Sequence, residues 1–321
     1  MKARMDMEQQ QNRQVPPPME SPGKRFWELW GPLLIKWAIG IGVGVAAMIA
    51  LMMVYIGTHY TTSEALNALM QNQDQMMGLY EKILVKYLNY STMIEGVAAL
   101  CTIPIMAVMF HKDRVKEKIR GVIPNKKAPL WKYVAIIIMA LAMCLGLNNL
   151  IIIGNLSAID ESYVETMNAL YSAPLGLQII CLGILVPICE EYVFRGLFFQ
   201  RMRARTTYRY AAIYSSLVFG LLHMNLVQMI YGFVLGLMLT YVYEKYGSLR
   251  APIAAHMAMN LLSVLATEFQ MYEWLIKDSM RIGVITVLCA TVAASMYVWI
   301  QRIEEKPEIP EHKIENENLA V

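Results

Sequence analysis

The residues best suited to chemistry lie between positions 190 and 260. One stretch reads Glu190-Glu191-Tyr192-Val193-Phe194-Arg195, a second Phe219-Gly220-Leu221-Leu222-His223, and a third His256-Met257-Ala258-Met259-Asn260. On a helix Glu190 and Glu191 point about 100° apart. Glu191 and Arg195 are four apart, so they share a face and can pair. An ordinary ion pair explains those two and leaves Glu190 without a structural reason. His223 alone reads more readily as an interfacial histidine than as a catalyst. His256 and Asn260 share a face about 6 Å apart along the axis, which alone amounts to one interhelical hydrogen bond. Together the three stretches mean more. A carboxylate beside an imidazole activates water as a general base. A second imidazole with a carboxamide supplies donors to a developing oxyanion, worth roughly 3–4 kcal/mol per donor where measured. That inventory fits amide hydrolysis with water as the nucleophile, and no Ser or Cys nucleophile is needed.

The elements that must position these groups are membrane helices. The 321-residue chain is 57% hydrophobic and 17% charged, against about 25% charged in soluble domains. Its apolar residues form long runs, the clearest being Leu33–Ile56, Met93–Phe110, Tyr133–Gly154 and Ile282–Ile300. A spanning helix needs about 20 mostly apolar residues for a core roughly 30 Å thick. The pattern predicts an all-α polytopic transmembrane bundle of about eight spans: 33–56, 92–110, 132–154, 174–200, 209–224, 227–244, 250–268 and 282–300. An ionisable residue at the bilayer centre costs about 2.5–3.5 kcal/mol on insertion scales. The fourth, fifth and seventh spans break that rule together, and they carry the three stretches. Pro187, three residues before Glu190, is placed to distort the fourth helix where the carboxylates enter.

Charge sets the topology. Lys and Arg concentrate in the N-terminal tail, in the loop after the second span, after the fourth (Arg201, Arg203, Arg205, Arg209) and after the sixth and eighth. The Asn155–Ala173 loop has none, and the Thr58–Ser91 loop has only Lys82 and Lys86. By the positive-inside rule both termini are cytoplasmic, with Lys277 and Arg281 in the last outer loop as the weak point. The expected organisation is a disordered tail at 1–30, N-terminal spans at 31–173, a catalytic core at 174–268, a last span at 269–303 and a charged tail at 304–321. The N-terminus lacks the apolar core of a cleavable signal peptide. Leu66, Leu69 and Met70 in the first outer loop suit either an amphipathic helix or a plain connector.

A net charge of +3 gives no reason to expect a nucleic-acid partner. The five cysteines all fall in or at the ends of apolar runs without a CxxC pair, so they read as buried small hydrophobes. Cys189, beside the candidate site, reads as a structural thiol.

Glu190-Glu191-x-x-x-Arg195, Phe219-x-x-x-His223 and His256-x-x-x-Asn260 resemble the three motifs of the CPBP family, the type II CAAX prenyl endopeptidases and bacteriocin-processing (Abi) proteins. The resemblance covers about residues 174–266. It implies an intramembrane peptidase whose site opens towards the cytoplasmic half of the bilayer. It further implies that Glu190 and His223 activate water, that His256 and Asn260 stabilise the oxyanion, and that Glu191, Arg195 and Phe219 support the site. Two histidines and a carboxylate are also a donor set for zinc. With no HExxH helix in the chain, the reading favours a site without metal or other cofactor. The expected substrate is a membrane-associated peptide or a lipidated C-terminus, and the expected location is a bacterial plasma membrane. Two other functions compete: a non-catalytic interaction or bacteriocin-immunity protein on the same scaffold, and a transporter or proton relay. The chain lacks the inverted repeat that a transporter would favour.

Overall fold

A computed structural model describes residues 21–119 and 127–303. The expected C-terminal tail and residues 1–20 of the expected N-terminal tail lie outside them. So do the basic residues Arg120 and Lys126 of the loop after the second span.

Every regular element among the described residues is helical. The long ones are α1 (Pro22–His59), α4 (Ser91–Ile119), α5 (Tyr133–Ile153), α7 (Leu175–Arg203), α9 (Leu226–Tyr246) and α12 (Ser279–Gln301). Between and after them come α2 (Ser63–Gln71), α3 (Gln73–Asn89), α6 (Glu161–Tyr171), α8 (Tyr208–Leu221), α10 (Arg250–Glu268) and α11 (Met271–Ile276). Each of the eight expected spans falls on one of these helices. Among the described residues six helices are long and apolar enough to cross a membrane: α1, α4, α5, α7, α9 and α12. Helix α8, with 14 residues, reaches only about 21 Å, which is short of a hydrocarbon core. Helix α8 packs on α9, and α10 on α5.

Residues 21–30, expected as tail, are structured. Ser21 caps α1 by accepting from the Lys24 N–H, and proline follows in the first turn, a pairing of cap and pre-set φ that starts a helix. Trp30 then packs edge-on against Phe198 and Tyr214. The segment between α1 and α4 forms α2 and α3, whose Leu69, Leu79 and Ile83 bury against Tyr55. Of the two readings the sequence left open there, the helical one holds.

Helix α7 changes its winding twice. Residues 181–185 and 192–199 are π-wound and flank an α-helical turn at Val186–Glu191. Pro187 lacks the N–H that the Gly183 carbonyl would meet in an α-helix. The wider turn upstream closes with Val186 N–H on Cys181 O. Widened turns of this kind recur at functional sites. Here they rotate the two glutamates relative to the rest of the helix.

Helices α8 and α9 cross at small residues. A Cβ on Gly220 would run into the Met229 carbonyl and stand 3.0 Å from Phe233 N, and one on Gly236 would stand 2.9 Å from Ser216 Cβ. Small residues four apart on both helices (Ser216 and Gly220, Gly232 and Gly236) allow this close approach. The crossing brings the His223 ring against Gly232 of α9.

Candidate active site

The site is built where α7, α8 and α10 meet. Glu191 is fully buried. Its Oε1 accepts from Arg195 Nη1 at 2.8 Å and from His256 Nδ1 at 2.8 Å. Arg195 is itself buried and donates through Nη2 to Gly236 O at 3.2 Å. The face of its guanidinium lies 4.5 Å from the Phe219 ring centroid. One carboxylate therefore ties α7 to α10, and its arginine partner ties α7 to α8 and α9. Removing one member of such a buried pair leaves an uncompensated charge and costs about 3–5 kcal/mol.

Phe219 is the hub of the aromatic packing. Its ring meets Phe194, His223 and His256 edge-on, at centroid distances of 4.9, 5.0 and 6.0 Å. It fixes the planes of both imidazoles and shields the Arg195 charge.

The two histidines are oriented by different partners. His223 Nδ1 lies 2.9 Å from Phe219 O. A carbonyl only accepts, so Nδ1 carries the proton and Nε2 is left as the functional atom. His256 gives its Nδ1 proton to Glu191, which turns its Nε2 towards Glu190 Oε2 at 3.9 Å. Among the described residues, His256 is the imidazole in ion-pair range of Glu190. His223 lies farther from that carboxylate but within its electrostatic reach.

Asn260 lies one turn beyond His256 and donates through Nδ2 to Leu182 O at 2.9 Å. Leu182 is in the first π-wound turn of α7. The carboxamide thus fastens that turn with one of its two N–H groups. The same-face relation of His256 and Asn260 holds, with each facing a different part of α7.

Two ionisable residues here lie outside the three stretches. Lys36 of α1 brings Nζ to 3.6 Å from Glu190 Oε1. Glu95 of α4 lies within electrostatic range of both Lys36 and Glu190. Both were visible as charges inside the first two apolar runs. Each sits only a few residues from the start of its run, and the sequence analysis singled out neither.

Among the described residues no three His, Cys, Asp or Glu side chains converge as a metal-ligand set. Glu191 Oε1 is committed to Arg195 and His256, and the His223 Nδ1 proton to a backbone carbonyl. Cys189 is buried and free.

The three stretches thus belong to one site, and comparison with known proteins identifies its setting. Residues 172–262 match the type II CAAX prenyl endopeptidase Rce1-like family. A Bacillus subtilis (strain 168) protein, YdiL, whose name assigns it provisionally to the membrane peptidases, is 28% identical over 106 residues. That match covers 33% of this chain and 43% of YdiL, so the chain spans less than half of that relative's length. No solved structure matches significantly. The Rce1-like match and the six long apolar helices among the described residues support an integral membrane protein.

Proposed function

We propose that the protein is an intramembrane endopeptidase that hydrolyses a peptide bond with water activated at Glu190. The observation that supports this most is the pairing of Glu190 Oε2 with His256 Nε2 at 3.9 Å. Two polar atoms at that separation leave room for one water at about 2.8 Å from both. Glu190 takes the water proton as general base. His256, held by Glu191, keeps the water in line. The sequence reading gave the water to Glu190 and His223 and placed His256 with the oxyanion donors; the distances favour His256 as the partner of Glu190. His223, whose Nε2 is left unprotonated by the Nδ1 bond to the Phe219 carbonyl, relays the proton that Glu190 took from water to the leaving amine. Asn260 has a second N–H for the oxyanion, a contribution that strengthens as charge develops. Glu191, Arg195 and Phe219 hold these groups without touching the reacting atoms.

The substrate in this reading is a membrane-associated peptide or lipidated C-terminus that reaches the site within the bilayer. The enzyme sits in a bacterial plasma membrane with both termini cytoplasmic. An alternative on the same scaffold, partner binding without catalysis, needs none of the histidine orientation seen here.

Hydrolysis is tested with purified protein in vesicles, incubated in H₂¹⁸O with membrane peptides from cells lacking it. New C-termini carrying one ¹⁸O are expected with the wild type and not with Glu190→Gln. Equal labelling in both would refute the assignment of the base.

A further inference from the structure

We propose that Lys36, on the first membrane helix, is a positioning residue of the active site, holding the Glu190 carboxylate ionised and aimed at the reacting centre. This rests on the peptidase reading above. Lys36 Nζ stands 3.6 Å from Glu190 Oε1, while the other oxygen of the same carboxylate faces His256 Nε2 at 3.9 Å. Glu190 is thus held from both sides, by a cation from α1 and an imidazole from α10. Its neighbour Glu191 is already taken by Arg195 and His256.

Helix α1 has no packing reason to supply that cation. It turns most of its length outward, and only five of its residues are buried. A lysine inside an apolar helix is retained when it meets a partner or a function. Lys36 meets Glu190 directly and Glu95 of α4 electrostatically. Of the Lys36 side chain 29% is accessible, and of that of Glu190 12%.

One lysine facing two carboxylates has no positive charge to spare. A substrate carboxylate arriving at Lys36 would meet Glu95 and Glu190, so an anion-binding role does not fit. The role that does is counter-ion to the base. The groups around Glu190 are Lys36 of α1, Glu95 of α4, Cys189 and Arg195 of its own helix, His223 of α8 and His256 of α10. Among them Lys36 is the cation nearest to Glu190 that is not already bound to Glu191. The matched segment 172–262 contains neither Lys36 nor Glu95, so the first two spans of this chain complete a site whose core lies in the fourth and later spans.

The test does not need a known substrate. Dicyclohexylcarbodiimide enters membranes and adds to protonated carboxyl groups, sparing ionised ones. Full-length protein in neutral-lipid vesicles is treated at pH 7, and the adduct on Glu190 is quantified by peptide mass spectrometry. Wild type should label weakly and Lys36→Met about tenfold more, as expected when a carboxylate loses its counter-ion. Lys36→Arg should return to the wild-type level, a rescue that packing alone would not produce. If Lys36→Met fails to accumulate, Lys36→Gln carries the same expectation. On a cleaved peptide, Lys36→Met should lower kcat with KM unchanged. Unchanged labelling of Glu190 in a folded Lys36 variant overturns the inference, whether or not peptides are cleaved. A labelling response with no cleavage by the wild type contradicts the peptidase reading instead, and with it the catalytic meaning of the pair.

Discussion

His256 Nδ1 lies 2.8 Å from Glu191 Oε1, across 65 positions of chain. The same oxygen accepts from Arg195 one turn along α7. This shared acceptor sets the site: it fixes which histidine nitrogen is buried and which faces Glu190. In the proposed mechanism it gives Glu191 a structural part and leaves Glu190, its neighbour, for the chemistry.

Glu191→Gln should therefore act on folding first. It strands a buried guanidinium and weakens the hold on His256, at a cost of about 3–5 kcal/mol. Thermal unfolding in detergent should show a clear loss of stability and a lower yield of assembled protein. A stable, abundant and inactive Glu191→Gln protein would place this residue in the chemistry.

The α8–α9 crossing gives a second expectation. Gly220→Ala puts a methyl group into the Met229 carbonyl, which is backbone and cannot swing aside. Overpacking of this kind costs about 1–3 kcal/mol. Because Phe219 and His223 ride on the same helix, activity should fall along with stability. Gly23→Ala meets nothing within 4 Å and serves as the neutral comparison.

Asn260 separates two roles. Asn260→Ala removes the bond to Leu182 O and should cost about 1–2 kcal/mol, while activity falls by about 10²–10³ if its second N–H meets the oxyanion. Equal, small losses in stability and rate would restrict Asn260 to holding the widened turn of α7.

The pH dependence of stability has an identifiable contributor outside the spans. Asp160, between α5 and α6, accepts from Ser162 Oγ at 2.7 Å and from the N–H groups of Val227 and Tyr163. The Ser162 hydroxyl first, then the Val227 amide, hold its carboxyl below the usual aspartate range. A depressed folded value means stability that is present above about pH 4 and is lost as pH falls through the folded value. Wild type should unfold at a higher temperature than Asp160→Asn at pH 7, and the gap should shrink below about pH 4. A gap independent of pH would show that the carboxylate charge contributes nothing.

Much of this arrangement is legible in the chain because it is local. The i,i+4 relation of Glu191 and Arg195 predicts their pair, and Pro187 predicts the disturbed helix before Glu190. Apolar runs place the eight helical segments, although the 14-residue α8 is too short to cross a membrane on its own. What the sequence conceals depends on which helices touch. Nothing local says that His256 rather than His223 stands nearest Glu190, or that Asn260 reaches back to Leu182. Lys36 and Glu95 lie near the starts of their apolar runs, and only the packing of α1 and α4 against α7 brings them to Glu190. The winding of α7 is likewise hidden, since π turns arise from packing and from the missing proline N–H together.

The measurement that bears most directly on the central claim compares membrane peptides in cells producing wild type and Glu190→Ala at matched levels. A precursor that accumulates only with Glu190→Ala, together with loss of its shorter product, is the expected result. Identical peptide profiles, with Glu190→Ala still performing the protein's cellular role, would contradict hydrolysis at this site and favour a partner-binding protein built on the same helices.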